Sequence, residues 1–164
     1  MKDHFVRLAA YNRWANGIVY DIAAGLTAEE FGRDLGAFFK SVKGTLNHLL
    51  VVDRVWLGRL TGEGAPGITG LDQILFEEFE PLRAARAAED ERIAAYVEAL
   101  DPVALGETVT YRSLMGGSFQ DRRVDILTHV FNHQAHHRGQ AHALLTRLGR
   151  PSAEIDFLFF LRRG

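Results

Sequence analysis

The sequence predicts a mainly α protein: four long helices packed as a bundle, with one small β-hairpin before the last long helix. Three observations carry this. Four stretches place apolar residues at the three-and-four spacing of amphipathic or buried helices. The β-favouring Thr108, Val109, Thr110 and Tyr111 precede a Gly116-Gly117 turn. Hydrophobic residues make up 47% of the 164 positions and charged residues 24%, a globular balance with enough apolar side chain for a core. A chain of this length is expected to form one domain, spanning residues 1–164.

In the first helix Phe5, Leu8, Ala9, Ala15, Ile18, Val19 and Ile22 form the apolar stripe, and Gly25 is a stop signal. Thr27 with Glu30 has the spacing of a capping box for a short turn of helix. The second helix, about Ser41 to Leu60, is apolar nearly all round, which predicts burial on several sides. Thr61 to Gly70 holds four glycines and Pro66, and reads as a loop. A third helical pattern covers about Leu71 to Leu100, with Pro81 expected to end or kink a helix near Glu80. The hairpin falls between Glu107 and Val124. The fourth helix runs from about Val124 to Leu148 and stops at Gly149 and Pro151, and a short apolar helix, Ile155 to Arg162, follows.

Composition excludes several chemistries. The formal charge is −2 and the basic residues are dispersed, so neutralising a phosphate backbone is not indicated and no nucleic-acid partner is expected. With no cysteine there is no disulfide, thiolate metal site or cysteine nucleophile, which suits a cytoplasmic protein. No signal peptide or run of 18 apolar residues is found, so no membrane association is expected.

The chain has seven histidines, four of them between His129 and His137. Ile126, Val130, Ala141, Leu144 and Leu148 mark the core stripe of the fourth helix, and at 100° per residue His133 and His137 fall inside it. Residues four apart on a helix lie about 6 Å apart along its axis, so both rings reach one metal ion. His48, on the second-helix face shared with Val52 and Val55, is the candidate third ligand. Three buried neutral imidazoles need six ring nitrogens satisfied, and a cation takes three at once. His129 and His136, with Gln140, lie at the edge of the stripe as supporting groups or interface residues, while His142 and His4 read as surface residues. No histidine has Glu three residues before it, which excludes the di-iron carboxylate pattern, and there is no His-Glu-x-x-His zinc protease motif. One mononuclear site with open positions is the simplest arrangement. All-imidazole ligation suits zinc, nickel, iron and copper alike, and zinc or nickel is the expected ion, with iron and copper as alternatives.

Three segments carry a family resemblance: Tyr11-Asn-Arg-Trp-Ala-Asn16, Gly44-Thr-Leu-Asn-His-Leu-Leu50 and Asn132-His-Gln-Ala-His-His-Arg-Gly-Gln140. They resemble the bacterial DinB family, the DNA-damage-inducible four-helix metalloproteins of the DinB/YfiT superfamily. The resemblance implies a four-helix bundle with a crossover connection, a homodimer, and metal ligands at His48, His133 and His137, with a role in stress response. The sulfoxide-synthase branch of that superfamily uses His-x-x-x-His-x-Glu, and Gly139 departs from it. Superfamily members that use a low-molecular-weight thiol imply one reading, a thiol-dependent transferase, and hydrolase-like members imply another. Either would be a metal-dependent enzyme acting on an unidentified small-molecule substrate. The alternative is a non-enzymatic, metal-stabilised stress-response protein that binds a small ligand or partner. A substrate cavity beside the histidines discriminates the two. No catalytic base is assigned, and Trp14 and Trp56 read as core aromatics.

Overall fold

The structure, a computed structural model, describes residues 1–163. Its helices are α1 (Lys2–Ala23), α2 (Ala28–Gly32), α3 (Val42–Thr61), α4 (Phe79–Ala99), α5 (Arg123–Arg147) and α6 (Phe157–Leu161). Between α4 and α5 lie strands β1 (Thr108–Arg112) and β2 (Ser118–Arg122), an antiparallel hairpin in which Thr108 opposes Arg122 and Tyr111 opposes Phe119. The capping box forms as expected. The Glu30 backbone N–H donates to Thr27 Oγ1 at 3.2 Å, and the Thr27 N–H donates to the Glu30 carboxylate at 2.8 Å.

The third helical pattern needs correction. Residues 71–78 are irregular, and α4 begins only at Phe79. Pro81 therefore stands in the first turn of α4, where a helix leaves its N–H groups unsatisfied in any case, and it marks the start of the helix rather than an end.

α1 packs against α4 and α5, as does α3, so α1 and α3 stand diagonally across the bundle. Pairings along the helices give their directions. α1 is antiparallel to α4, with Asn12 on Asp90 and Asp21 on Arg83. α3 is antiparallel to α5, with Gln134 at the Leu49 carbonyl and Arg123 at that of Leu60. α1 and α5 are parallel, Phe5 meeting Phe131 and Asn16 meeting Arg138. α3 and α4 are parallel neighbours as well, and a tight turn cannot join two parallel helices. Residues 62–78 therefore cross over along the outside of the bundle.

Two apolar clusters fill the interior. One gathers Phe5, Leu57, Ile93, Val97, Ile126 and Val130, the other Val19, Leu46, Leu50, Leu82, Ala141 and Leu145. Between them runs a buried polar layer to which all four long helices contribute. Arg86 of α4 pairs with Asp53 of α3 at 2.7 Å and with Asp90 at 3.0 Å. Asp90 accepts from the Asn12 amide at 3.2 Å and the Asn16 amide at 3.0 Å, and Arg138 of α5 donates to the Asn12 oxygen at 2.6 Å. Gln134 donates to Asp53 at 2.5 Å. Burial pushes the Asp53 carboxyl up to about 6, against the pull of Arg86 and Gln134.

Candidate metal centre

The three expected histidines come together. His48 stands in the middle of α3, and His133 and His137 lie one turn apart on α5. Each offers one ring nitrogen, and the three atoms lie within 4.8 Å of one another. His48 Nε2 is 3.1 Å from His133 Nε2. Two nitrogens held tetrahedrally at zinc-like distances would be about 3.3 Å apart, so this pair already has close to the required spacing.

His48 is 4% exposed, but His133 and His137 are half-buried at the flank of the α5 stripe rather than inside it. Gln134 and Arg138 take the centre instead, because the polar layer that ties the helices together passes through those positions. The signal was present in the sequence: Leu127, Phe131, Gln134, Arg138, Ala141 and Leu145 alternate by four and three without a break.

Neighbouring groups fix the tautomers. His48 Nδ1 lies 2.7 Å from the Leu71 carbonyl on the crossover and donates to it, which leaves Nε2 as a lone pair facing the other imidazoles. His137 Nδ1 donates to Gln140 Oε1 at 2.8 Å, and the Gln140 amide donates to His136 Nε2 at 3.1 Å. Gln140 and His136 thus orient His137. His133 Nδ1 is buried without a partner.

Desolvation pushes His48 down to about 4, against the Leu71 hydrogen bond, and pushes His133 down to about 3 with help from the surrounding histidines. Burial likewise lowers His137. All three rings are neutral at pH 7, the state in which imidazole ligates. The donor set fits one borderline divalent cation, with nitrogen lone pairs converging and two of the rings oriented from behind.

The α3 motif supplies the frame. Phe39 stacks on the His48 ring at 3.8 Å between centroids and meets His137 edge-on at 5.5 Å. Its backbone comes so close to α3 that a Cβ on Gly44 would lie 2.1 Å from the Phe39 carbonyl oxygen, so only glycine fits there. One turn on, the Asn47 oxygen accepts from the backbone N–H groups of Leu75 and Phe76 at 2.8 and 2.9 Å, and its amide donates to the Phe76 carbonyl at 3.0 Å. This clamp seats the crossover that carries the Leu71 carbonyl. Phe39, Asn47 and Gln134 were not picked out from sequence. Their roles depend on segments remote in the chain, and a residue's own spacing does not reveal such partners.

The remaining histidines differ in part from expectation. His129 is solvent-exposed and lies between Trp56, at 5.1 Å, and His133, at 5.8 Å between centroids. His4 is exposed. His142 is half-buried, and its Nε2 accepts from the Ala153 backbone at 3.1 Å, so it pins the C-terminal tail rather than standing free on the surface. Trp14 packs against Phe160 of α6. Trp56 is half-buried against the core and also forms a wall of a cavity of about 900 Å³ that reaches His133 and His129. The crossover and the hairpin turn close its other sides, and its lining is mostly apolar. The histidine cluster therefore opens onto a space of small-molecule size. Among the described residues no helix is long and apolar enough to cross a membrane.

Comparison with known proteins agrees with this architecture. The chain is 25% identical over 167 residues to Protein DinB of Bacillus subtilis (strain 168), covering 98% of this chain and 95% of that protein. A crystal structure of a DinB-like protein from Bacillus cereus ATCC 10987 superposes with a TM-score of 0.70 at 19% identity, over 93% of this chain and 95% of the other. A second, a DinB-like protein from Bacillus subtilis, gives 0.65 at 14% identity over 90% and 95%. At these identities the two structures speak for the fold. The three motifs of the polar layer and histidine cluster lie within residues 1–163, the span matched by the DinB family sequence model, and the chain belongs to the DinB family.

Proposed function

We propose that the protein is a metal-dependent enzyme whose single divalent ion, zinc or nickel, is held by His48, His133 and His137. The observation that carries this reading is the 900 Å³ cavity opening directly onto His133. A purely structural ion needs no such space, so the cavity favours a centre that handles a small molecule over one that only ties helices together. A cation held by three neutral imidazoles keeps its full charge and supplies Lewis acidity, lowering the pKa of a water or thiol brought to it. The protein's own part is to fix the imidazoles through Leu71 and Gln140, and to provide an apolar chamber in which electrostatic effects are strong. With no cysteine in the chain, an exogenous low-molecular-weight thiol meets no internal competitor.

Titrating cobalt-substituted protein with such a thiol tests the reading. A sulfur-to-metal charge-transfer band that is lost in His137→Ala, together with thiol-dependent consumption of an electrophile, identifies a transferase. Cleavage of esters or amides without thiol and without the band identifies a hydrolase. Neither activity over a broad panel would favour the non-enzymatic stress-response reading.

We also propose a homodimer. The apolar circumference of α3 is covered by the chain's own packing, and the Tyr11 and Trp14 side chains are covered by α6. The proposal now rests on family resemblance and on the outer face of α6, where Leu158, Phe159 and Leu161 are exposed. A sedimentation mass near 18 kDa at tens of micromolar would refute it.

A further inference from the structure

Arg59, on the last turn of α3, faces the cavity beside the histidine cluster. Its guanidinium lies against two aromatic rings that meet edge to face, 4.4 Å from the centroid of Trp56 and 4.6 Å from that of Tyr111. Among the described residues it has no carboxylate partner. The acids of adjoining segments are engaged elsewhere: Asp121 accepts from the Tyr111 hydroxyl at 2.7 Å, and Glu63 pairs with Arg92 at 3.0 Å. The rest of the chamber is apolar, with Val52, Val55 and Leu71 on its walls and Leu114, Met115 and Phe119 reaching in from the hairpin. Phe119 stacks on Tyr111 at 5.9 Å between centroids, while Leu114 and Met115 stand exposed, Met115 at 99%.

An unpaired cation in a mostly apolar chamber is costly unless something completes it. Both rings stand to one side of the guanidinium and leave its other side free of aromatic contact, where a bidentate carboxylate can pair with it. The charge count is also informative. One carboxylate neutralises one guanidinium, whereas a doubly charged phosphate would carry a surplus negative charge into apolar surroundings. Burial lowers the Arg59 pKa from its ordinary value, against a smaller opposing pull from Tyr111, and no carboxylate contributes.

We infer that this cavity binds a small carboxylate-bearing molecule with an apolar body, the carboxylate seated on Arg59 beside Trp56 and Tyr111 and the apolar body lying toward the histidines. The inference rests on reading the cavity as the substrate site of the three-histidine centre and adds the chemical class of that substrate. Arg59 is a specificity residue here. The ring sequence Trp56, His129, His133 spans the distance between it and the cluster, so the two ends of one molecule can be handled separately.

Calorimetric titration with 2-naphthoate, its uncharged analogue 2-naphthamide and 2-naphthyl phosphate tests this on metal-loaded and chelator-treated wild-type protein. Naphthoate should bind at least about tenfold tighter than the amide in both preparations, equivalent to about 1.4 kcal/mol. Arg59→Met should erase that preference and leave metal content and circular dichroism unchanged, and Arg59→Lys should retain part of it. Equal affinity for acid and amide, no binding of either, tighter binding of the phosphate, or a preference surviving in Arg59→Met would each overturn the inference. So would a preference seen only with metal present, since the carboxylate would then be going to the ion. Metal content of wild type and His133→Ala is read independently, so a failed metal site leaves the chelator-treated arm of the test intact.

Discussion

Removing either imidazole, in His48→Ala or His133→Ala, deletes one of three converging donors, and each variant should lose most of its bound zinc or nickel while keeping its helical circular dichroism. Elemental analysis after dialysis decides this, with His142→Ala as the control that retains metal because its ring serves the C-terminal tail. The same rings give a pH dependence of defined sign. His48 and His133 titrate at about 4 and about 3 in the fold, against about 6.5 for an unperturbed histidine. Around pH 6.5 and below, the unfolded chain takes up protons that the fold refuses, so stability falls as pH drops through 6.5 toward 4, and the slope from these groups fades within about one unit above 6.5. Urea midpoints of chelator-treated wild type should therefore fall more steeply between pH 7 and 4 than those of His133→Ala. Equal slopes would mean that the imidazoles are not desolvated as described.

At the scale of elements, the crossover and the polar layer set where the histidines stand. Asn47→Ala removes three hydrogen bonds that seat residues 75 and 76 and leaves backbone groups of the crossover unpaired. It should cost about 1–3 kcal/mol by urea denaturation. Metal affinity should fall as well, since the Leu71 carbonyl that orients His48 belongs to the same crossover. A variant as stable and as tight for metal as wild type would show that the clamp does not position the site. Asp53→Ala is the harsher change. It strips the buried Arg86 guanidinium of one of its two acidic partners and leaves Gln134 only its long contact to the Leu49 carbonyl, and about 3–5 kcal/mol should be lost.

For the whole molecule, metal and fold should be coupled, because the ligands come from two antiparallel helices that the ion would tie together. Chelation at pH 7.5 should lower the melting temperature, and the difference should shrink on acidification as protons compete for the rings. A melting temperature unmoved by chelator, in protein shown to have lost metal, would refute the coupling. The crossover topology gives the site its shape: a chain segment that must run the length of the bundle also supplies one wall of the cavity and the backbone acceptor for His48.

Much of this was written in local spacing. Apolar periodicity marked the four long helices, Thr27 with Glu30 marked a cap, and the four-residue separation of His133 and His137 fixed their common face whatever the helix packed against. Such features depend only on the geometry of a single helix. The start of α4 was not legible, because Pro81 is equally compatible with ending one helix and with opening the next, and only the path of residues 62–78 distinguishes the two. The four-and-three run through Gln134 and Arg138 was visible on α5, but it was not legible that these polar residues, rather than the histidines, take its buried centre. Burying a guanidinium or an amide is affordable only where partners from other helices meet it, and Asn12, Asn16 and Asp53 do so from positions far away in the chain. The sequence by itself determined the helices and the imidazole pair. Tertiary structure decided which polar residues could go inside, brought His48 to that pair, and left Arg59 facing a cavity without a counter-ion, because each of these depends on which elements become neighbours.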